Sequence, residues 1–201
     1  MLHIEKQTPK WEFYAAIRPY PGEFLSGDQA FFKLEKDAIS FGIIDGLGHG
    51  VRAANISMAI EKYISAQNTS DVLKLVQDIH LEFKGSIGAV VGIAHLTNNG
   101  LLNYIGVGNI SCRILGIGKQ NTSLLSRDGV VGQRYQQLQL TQYQLQSCDR
   151  VMMFSDGISR SSLRKYNDFP PRSSIEFVNT IIQNFGKNYD DASFLYVSKR
   201  K

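Results

Sequence analysis

Residues 41–54, with the sequence FGIIDGLGHGVRAA, combine an apolar strand, a glycine-rich acidic turn and the start of a helix. Asp45 stands where the strand ends, and a strand end holds a side chain more firmly than a loop does. The three glycines that follow allow a tight turn and a close approach of the backbone to a ligand or ion. Apolar residues then return at helical spacing, which predicts a helix over residues 51–66. This segment therefore predicts a functional site between a strand and a helix.

The bulk composition predicts one domain over residues 1–201. The 201 residues are 43% hydrophobic and 20% charged, which is enough for a substantial core. No apolar run approaches the roughly 20 residues that cross a bilayer, and the first residues lack the pattern of a signal peptide. We therefore expect a cytoplasmic protein that binds no membrane. Cys112 and Cys148 are too few for a disulfide framework or a metal cluster, and we expect both to be buried thiols.

The net charge of +4 does not indicate a nucleic-acid-binding protein. The basic residues are scattered apart from one group in the last fifty residues, and no aromatic residues alternate with that group to stack on bases. Two interpretations of the group stay open, a solvated basic face and a docking surface for an acidic or phosphorylated protein. Its members are Arg160, Arg164, Lys165 and Arg172.

The middle of the chain predicts a helix followed by antiparallel strands. Ser70 and Asp71 begin an amphipathic helix that extends to residue 83. Three apolar strands with tight turns follow, and short turns favour an antiparallel sheet over alternating strands and helices. The predicted strands are 87–96, 101–107 and 111–117.

The last third of the chain predicts two further strands, a helix and a final strand. The sequence GQRYQQLQLTQYQLQ at 132–146 predicts one strand with a bulge. The strand RVMMF then runs into Asp156-Gly157, as the earlier strand runs into Asp45-Gly46. Ser173 and Glu176 have the spacing of a helix capping box, and the final strand begins after Asp190-Asp191.

Carboxylates therefore flank several predicted strands. By itself each has an ordinary explanation, and Asp28 is also typical of a turn. Together, carboxylates at neighbouring strand ends would repel one another unless a cation neutralised them. Oxygen ligands suit Mg²⁺ or Mn²⁺, whereas no cysteine cluster or histidine pair has the spacing of a zinc site. The acidic positions are 28, 45, 156 and 190/191.

Four motifs resemble those of a known family. They are DGLGHG at 45–50, GVGN at 106–109, DRVMMFSDGIS at 149–159 and DDAS at 190–193. In this order they are similar to the metal-dependent protein phosphatases of the 2C type, in particular to the bacterial SpoIIE branch and its stand-alone stressosome phosphatases. The resemblance implies an α+β fold, a four-layer αββα sandwich of two central antiparallel sheets flanked by helix pairs.

The resemblance also implies a ligand set for two Mn²⁺ or Mg²⁺ ions. Asp45 would bridge the ions, the carbonyl of Gly46 would complete one, and Asp156 and Asp190 would hold the other. Asp28 would act through metal-bound water. The implied reaction is attack by hydroxide on phosphoserine or phosphothreonine in a bacterial stress or sigma-factor regulatory protein.

The chain departs from the wider family at several positions, two of which concern catalysis and phosphate binding. Leu47 stands where many eukaryotic relatives have a histidine, and Glu23 stands where they place a phosphate-gripping arginine. Phosphate binding then falls to the metals and to Arg160 or Arg164. We expect His49 to be a turn residue.

Two other functional classes compete with this interpretation. A dinucleotide-binding turn would need glycine at position 51, which is Val51. A non-catalytic pseudophosphatase that binds another protein stays as the alternative, but the chain keeps the metal carboxylates that such proteins usually lose. A monomer is favoured.

Overall fold

The structure is a computed structural model that describes residues 1–116, 121–164 and 174–200. One of its two main sheets, called here the first sheet, has the strand order β1-β2-β14-β13-β7-β8, and its adjacent strands are all antiparallel. Its strands are β1 (Leu2–Gln7), β2 (Trp11–Arg18), β7 (Ser111–Leu115), β8 (Thr122–Leu124), β13 (Arg150–Phe154) and β14 (Ala192–Lys199).

The second sheet has the order β12-β6-β5-β4-β3, and a short strand β9 pairs with β6 in parallel. Its other pairings are antiparallel. Its strands are β3 (Asp28–Leu34), β4 (Ala38–Gly46), β5 (Ala89–Thr97), β6 (Leu101–Val107), β9 (Ser126–Arg127) and β12 (Thr141–Gln144); β10 (Gly129–Val130) and β11 (Arg134–Tyr135) form a separate hairpin.

Helices pack against both sheets. The helices α1 (Gly50–Ala66) and α2 (Val72–Glu82) cover the second sheet, and α4 (Ile175–Phe185) packs on β2 and β14 of the first. A short helix α3 (Arg160–Arg164) follows β13. No helix in the described part of the chain is long and apolar enough to cross a membrane.

Alternating apolar residues join these elements. Because successive side chains of a strand point to opposite faces, Phe41 and Ile43 of β4 pack in the cluster between the sheets, whereas Ile44 packs under α1 and α2. In β14, Leu195 and Phe194 divide in the same way between the inner cluster and the cluster under α4. This alternation sets which side chains at the strand ends point between the sheets.

Most predicted elements are confirmed, with shifted ends. Asp71 caps α2 by accepting hydrogen bonds from the backbone N–H groups of Leu73 and Lys74. The predicted third strand ends at Leu115, and residue 117 lies outside the described residues. The exposed edge strand β1 was not predicted, because five of its six residues are exposed and a core pattern is weak.

Three predictions need correction. The predicted bulged strand at 132–146 is wrong: β11 and β12 are separate short strands in different sheets. Tyr135 packs edge-on against His80 under the second sheet, which draws β11 away from β12. Cys148 is exposed, whereas Cys112 is buried as predicted.

The third correction concerns the cap of α4. Ser174 is the N-cap, and its hydroxyl accepts a hydrogen bond from the backbone N–H of Phe177. The predicted capping residue, Ser173, lies outside the described residues. Glu176 lies in the first turn, where a negative charge interacts favourably with the helix dipole.

Candidate metal centre

Two carboxyl groups face each other at the end of the second sheet. Asp28 begins β3 and pairs in register with Asp45, near the end of β4. Asp45 lies two residues after Ile43, and Asp28 two residues before Ala30, and both of these apolar residues pack between the sheets. The alternation of a strand therefore directs both carboxyl groups toward the space between the sheets.

Burial and mutual repulsion raise the pKa of both carboxyl groups. Burial is the main cause that raises the pKa of Asp28 to about 7, and a hydrogen bond of 2.6 Å from the Ser155 hydroxyl opposes it. Burial also raises the pKa of Asp45 well above its usual value, and the charges of Asp28 and Asp156 add to this. The acidic residues therefore destabilise one another's ionised forms, and a cation would relieve that repulsion.

Asp156 is held by a neighbour from another strand end. The Asn109 amide donates a hydrogen bond of 2.8 Å to Asp156 Oδ2. The carbonyl of Asn109 in turn accepts a hydrogen bond from the Arg160 guanidinium. Asn109 thus connects the turn after β6 with the turn after β13.

The two acidic residues before β14 have different environments. Asp190 is partly buried, and its pKa is raised first by burial and then by the charge of Asp156. Asp191 is buried, and its Oδ1 accepts hydrogen bonds from the Tyr20 backbone N–H at 2.8 Å and from the Ser26 hydroxyl at 3.1 Å. Its Oδ2 accepts no hydrogen bond from any residue that the structure describes.

The glycines after Asp45 and Asp156 are required by close packing. A Cβ added at Gly46 would lie 2.3 Å from the carbonyl oxygen of Ala53, and one added at Gly157 would lie 1.7 Å from that of Asp191. Neither glycine has a positive φ. A side chain at either position would displace the adjoining carboxylate. Glycine therefore follows Asp45 and Asp156 because neighbouring backbone packs closely against both positions.

The residues fit a divalent cation by their chemistry. The donors are oxygen atoms, several carboxyl groups repel one another, and a buried carboxylate oxygen at Asp191 lacks a partner among the described residues. As they stand, no three acidic, histidine or cysteine side chains among residues 1–116, 121–164 and 174–200 converge on one point. Binding an ion would therefore require carboxylate side chains to rotate toward a common centre.

The other residues singled out from the sequence have separate positions. Arg160 is exposed beside Asn109, and Asp128 is exposed in the loop between β9 and β10. The side chain of Arg164 lies outside the described residues, as do Lys165 and Arg172. His49 is an exposed turn residue that caps no backbone group by its side chain.

Several residues of this centre were not assigned from the sequence. Asn109 and Ser155 hold carboxylates, while Tyr20 and Ser26 anchor Asp191. Asn109 lies in the motif GVGN and Ser155 in FSDG, but neither motif indicates which carboxylate its residue contacts. The carboxylate of Glu23 lies 3.4 Å from His49 Nδ1.

Comparisons with known proteins identify the family and the fold of the chain. Residues 35–198 match the family model of stage II sporulation protein E (SpoIIE). No curated protein matches significantly. The solved structure of RsbX in complex with magnesium is similar with a TM-score of 0.84 and 18% identity, over 99% of this chain and 100% of that chain.

Two further structures are similar. One, from work on the bacterial stressosome as a modular system that controls secondary messenger signalling, has a TM-score of 0.82 and 25% identity over 94% of this chain and 99% of that chain. The PP2C phosphatase domain of SpoIIE from Bacillus subtilis has a TM-score of 0.75 and 19% identity, over 100% of this chain and 70% of that chain. The chain therefore has the mixed α+β fold of the PP2C-type serine/threonine phosphatases.

Proposed function

This chain belongs to the stage II sporulation protein E family, and on that premise we propose that it is a metal-dependent phosphatase acting on phosphoserine and phosphothreonine in a protein. One observation carries the proposal. Asp28 and Asp45 stand opposite each other on β3 and β4, and the pKa of Asp45 is raised by burial and then by the charges of Asp28 and Asp156, which supports a shared cation site at these strand ends. Such mutual repulsion is costly in a folded protein unless it serves to bind a cation.

The proposed ligands are those that the sequence predicts. Asp45 and the carbonyl of Gly46 would hold one Mn²⁺ or Mg²⁺ ion, Asp45, Asp156 and Asp190 a second, and Asp28 would contact the pair through water. When bound, two such ions supply an activated water as the nucleophile and neutralise the phosphoryl oxygens. Magnesium in the similar RsbX structure supports this choice of metal.

Neighbouring side chains would orient these carboxylates. The Ser155 hydroxyl donates a hydrogen bond to Asp28 Oδ2 and so holds this carboxylate at the end of β3. The Asn109 amide occupies Asp156 Oδ2 in the same manner. Such hydrogen bonds restrict the rotation of each carboxylate, so less conformational entropy is lost when the ligands assemble.

We assign substrate binding to Arg160, with Arg164 as a second candidate. Arg160 is exposed at the start of α3 and contacts the carbonyl of Asn109, whose amide contacts Asp156. The Arg160 guanidinium therefore contacts a residue that itself contacts the proposed ligand Asp156. At this position it can bind a phosphoryl oxygen. Glu23 occupies the position where the resemblance places a phosphate-binding arginine. Its carboxylate lies 3.4 Å from His49 Nδ1 and supplies no positive charge for the phosphate.

The proposed substrate is a phosphorylated regulatory protein of a bacterial stress or sigma-factor circuit. Two similar structures support it, one from work on the stressosome and one of SpoIIE, which is described as a cell fate determinant. We also propose that residues 1–201 form a single domain and a monomer. The helix-covered outer clusters on both sheets support a four-layer αββα order.

Phosphatase activity provides the direct test. The purified protein should hydrolyse para-nitrophenyl phosphate and a phosphoserine peptide in Mn²⁺ or Mg²⁺, and a chelator should abolish both activities. Asp45→Asn and Asp156→Asn should each lower turnover by about 100-fold or more, since each removes a proposed ligand.

Asp37→Asn is the matched control, because Asp37 is an exposed carboxylate in the turn at the opposite end of β3. Its activity should equal that of the wild type. A folded wild-type protein that binds phosphopeptide without hydrolysing it in either metal would instead establish the pseudophosphatase alternative.

A further inference from the structure

A loop at the edge of the metal centre carries a fully exposed aromatic side chain. Phe24 is 98% exposed, and Leu25 beside it is also exposed. Both ends of this loop are fixed on one residue, because the Tyr20 N–H and the Ser26 hydroxyl donate to the same oxygen of Asp191. The loop is therefore anchored on the acidic cluster, and its tip extends into solvent.

A second exposed apolar group lies beside this loop. Leu47 follows the Asp45-Gly46 pair directly, and Val51, which is 60% exposed, lies in the first turn of α1. The carboxylate of Glu23 joins the two groups: it lies 3.4 Å from His49 Nδ1, and a Cβ added at Gly50 would lie 3.0 Å from it. The Tyr20 ring also stacks on the His49 ring, with centroids 4.6 Å apart.

These contacts hold the loop against the start of α1. The residue after Glu23 is Phe24, and the residue after Gly50 is Val51, so exposed apolar side chains flank the Glu23–His49 contact on both sides. We call this surface the apolar rim; it consists of Phe24, Leu25, Leu47 and Val51. Exposed apolar residues grouped beside a functional site are typical of protein-binding surfaces.

We propose that the apolar rim docks the phosphoprotein substrate through apolar residues that flank its phosphorylated serine or threonine. The inference rests on the proposed function. A phosphoserine side chain is short, so the polypeptide on either side of it must cross the residues next to Asp45 and Asp28. The rim occupies that position, since its loop ends at Gly27, whose added Cβ would lie 2.9 Å from Asp191 Oδ2.

The anchored loop also explains how the rim would contribute to affinity. Phe24 is presented from a segment whose ends are already fixed by hydrogen bonds, so little backbone entropy is lost on docking. Burying one aromatic or aliphatic side chain then favours an apolar-flanked substrate by roughly tenfold or more over a polar one. The rim would thus select among phosphoproteins while the carboxylates carry out the reaction.

Two matched peptides test the proposal. One has phosphoserine between leucine and phenylalanine residues, and the other has serine and glycine in their places. Fluorescence anisotropy should show that the wild-type protein binds the apolar peptide about tenfold more tightly. Phe24→Ser and Val51→Ser should each reduce that preference to about twofold, with unchanged thermal stability and unchanged hydrolysis of para-nitrophenyl phosphate.

Leu34→Ser is the control, because Leu34 is an exposed leucine at the opposite end of β3 from Asp28. It should keep the full preference. Equal binding of both peptides by the wild type, or a preference retained in Phe24→Ser, would overturn the proposal. A change from dimer to monomer in Phe24→Ser with an unaltered preference would also overturn it and identify a second copy of the chain as the occupant.

Binding and turnover separate the two proposals. If the wild type hydrolyses no phosphate ester but the apolar preference and its loss in Phe24→Ser are both observed, the proposed activity fails and the docking surface stands. If hydrolysis of para-nitrophenyl phosphate is normal and the preference is absent, the docking surface alone fails.

Discussion

Asp28 and Asp45 lie directly opposite each other on the antiparallel strands β3 and β4, and burial raises the pKa of both. Two acidic residues at one register position give the end of the second sheet a concentrated negative charge. The arrangement is unfavourable for stability and favourable for binding a cation. The first two predictions follow from that conflict.

Replacing Asp45 should stabilise the protein in the absence of metal. The folded pKa of this carboxyl lies above its unfolded value, so its stabilising effect is present at low pH and is lost as the pH rises through the folded pKa. In chelator at neutral pH, Asp45→Asn should therefore raise the free energy of unfolding. Urea denaturation measures this, and Asp37→Asn should have no effect. A less stable Asp45→Asn protein would show that the repulsion is already relieved within the fold.

Metal affinity should increase with pH. The pKa of Asp28 is about 7, so part of the population carries a proton there at neutral pH, and this proton must leave when the carboxylate contacts a cation or its water. Titration calorimetry should show Mn²⁺ binding that strengthens by about tenfold between about pH 6 and pH 8. Asp28→Asn should bind more weakly and with a shallower pH dependence. The same slope in that variant would assign the proton to another group.

Loss of the Asn109 amide should weaken the metal centre without unfolding the protein. Asn109→Ala removes the hydrogen bond to Asp156 Oδ2, and residues that orient a ligand typically contribute about 10-fold to 100-fold to metal affinity or activity. We expect about a tenfold loss of turnover at limiting metal, partly recovered at high metal concentration. Asn103→Ala is the control and should retain activity, because Asn103 lies within β6 and accepts a hydrogen bond from Gln142. A loss that metal leaves unchanged would point to a role in binding substrate.

The two cysteines should differ in reactivity. Cys148 is exposed, whereas Cys112 is buried in the core between the sheets and its pKa is raised by burial. A thiol reagent should modify one cysteine rapidly in the native protein and the second only on unfolding. Cys148→Ser should leave one slow thiol and unchanged stability. Two rapidly reacting thiols would contradict the buried position of Cys112.

Local patterns were enough to predict most elements. Helix α2 begins where Asp71 can cap it, and the strand before Asp45 alternates between two apolar clusters as its sequence indicates. The segment at 132–146 was mispredicted because its apolar residues belong to different clusters. Tyr135 and Leu138 pack under the second sheet, whereas Tyr143 packs between the sheets. A periodic pattern of apolar residues does not indicate in which hydrophobic cluster each of them packs.

The sequence by itself determined that carboxylates stand at the ends of strands, because a strand, an acid and a glycine are encoded within a few adjacent residues. Only the tertiary structure decided which residues those carboxylates meet. Asn109 reaches Asp156 across 47 positions, and Tyr20 reaches Asp191 across 171, because the order of strands in the sheets brings their turns together. The physical reason is that strand pairing joins distant segments by backbone hydrogen bonds that have no local sequence signature.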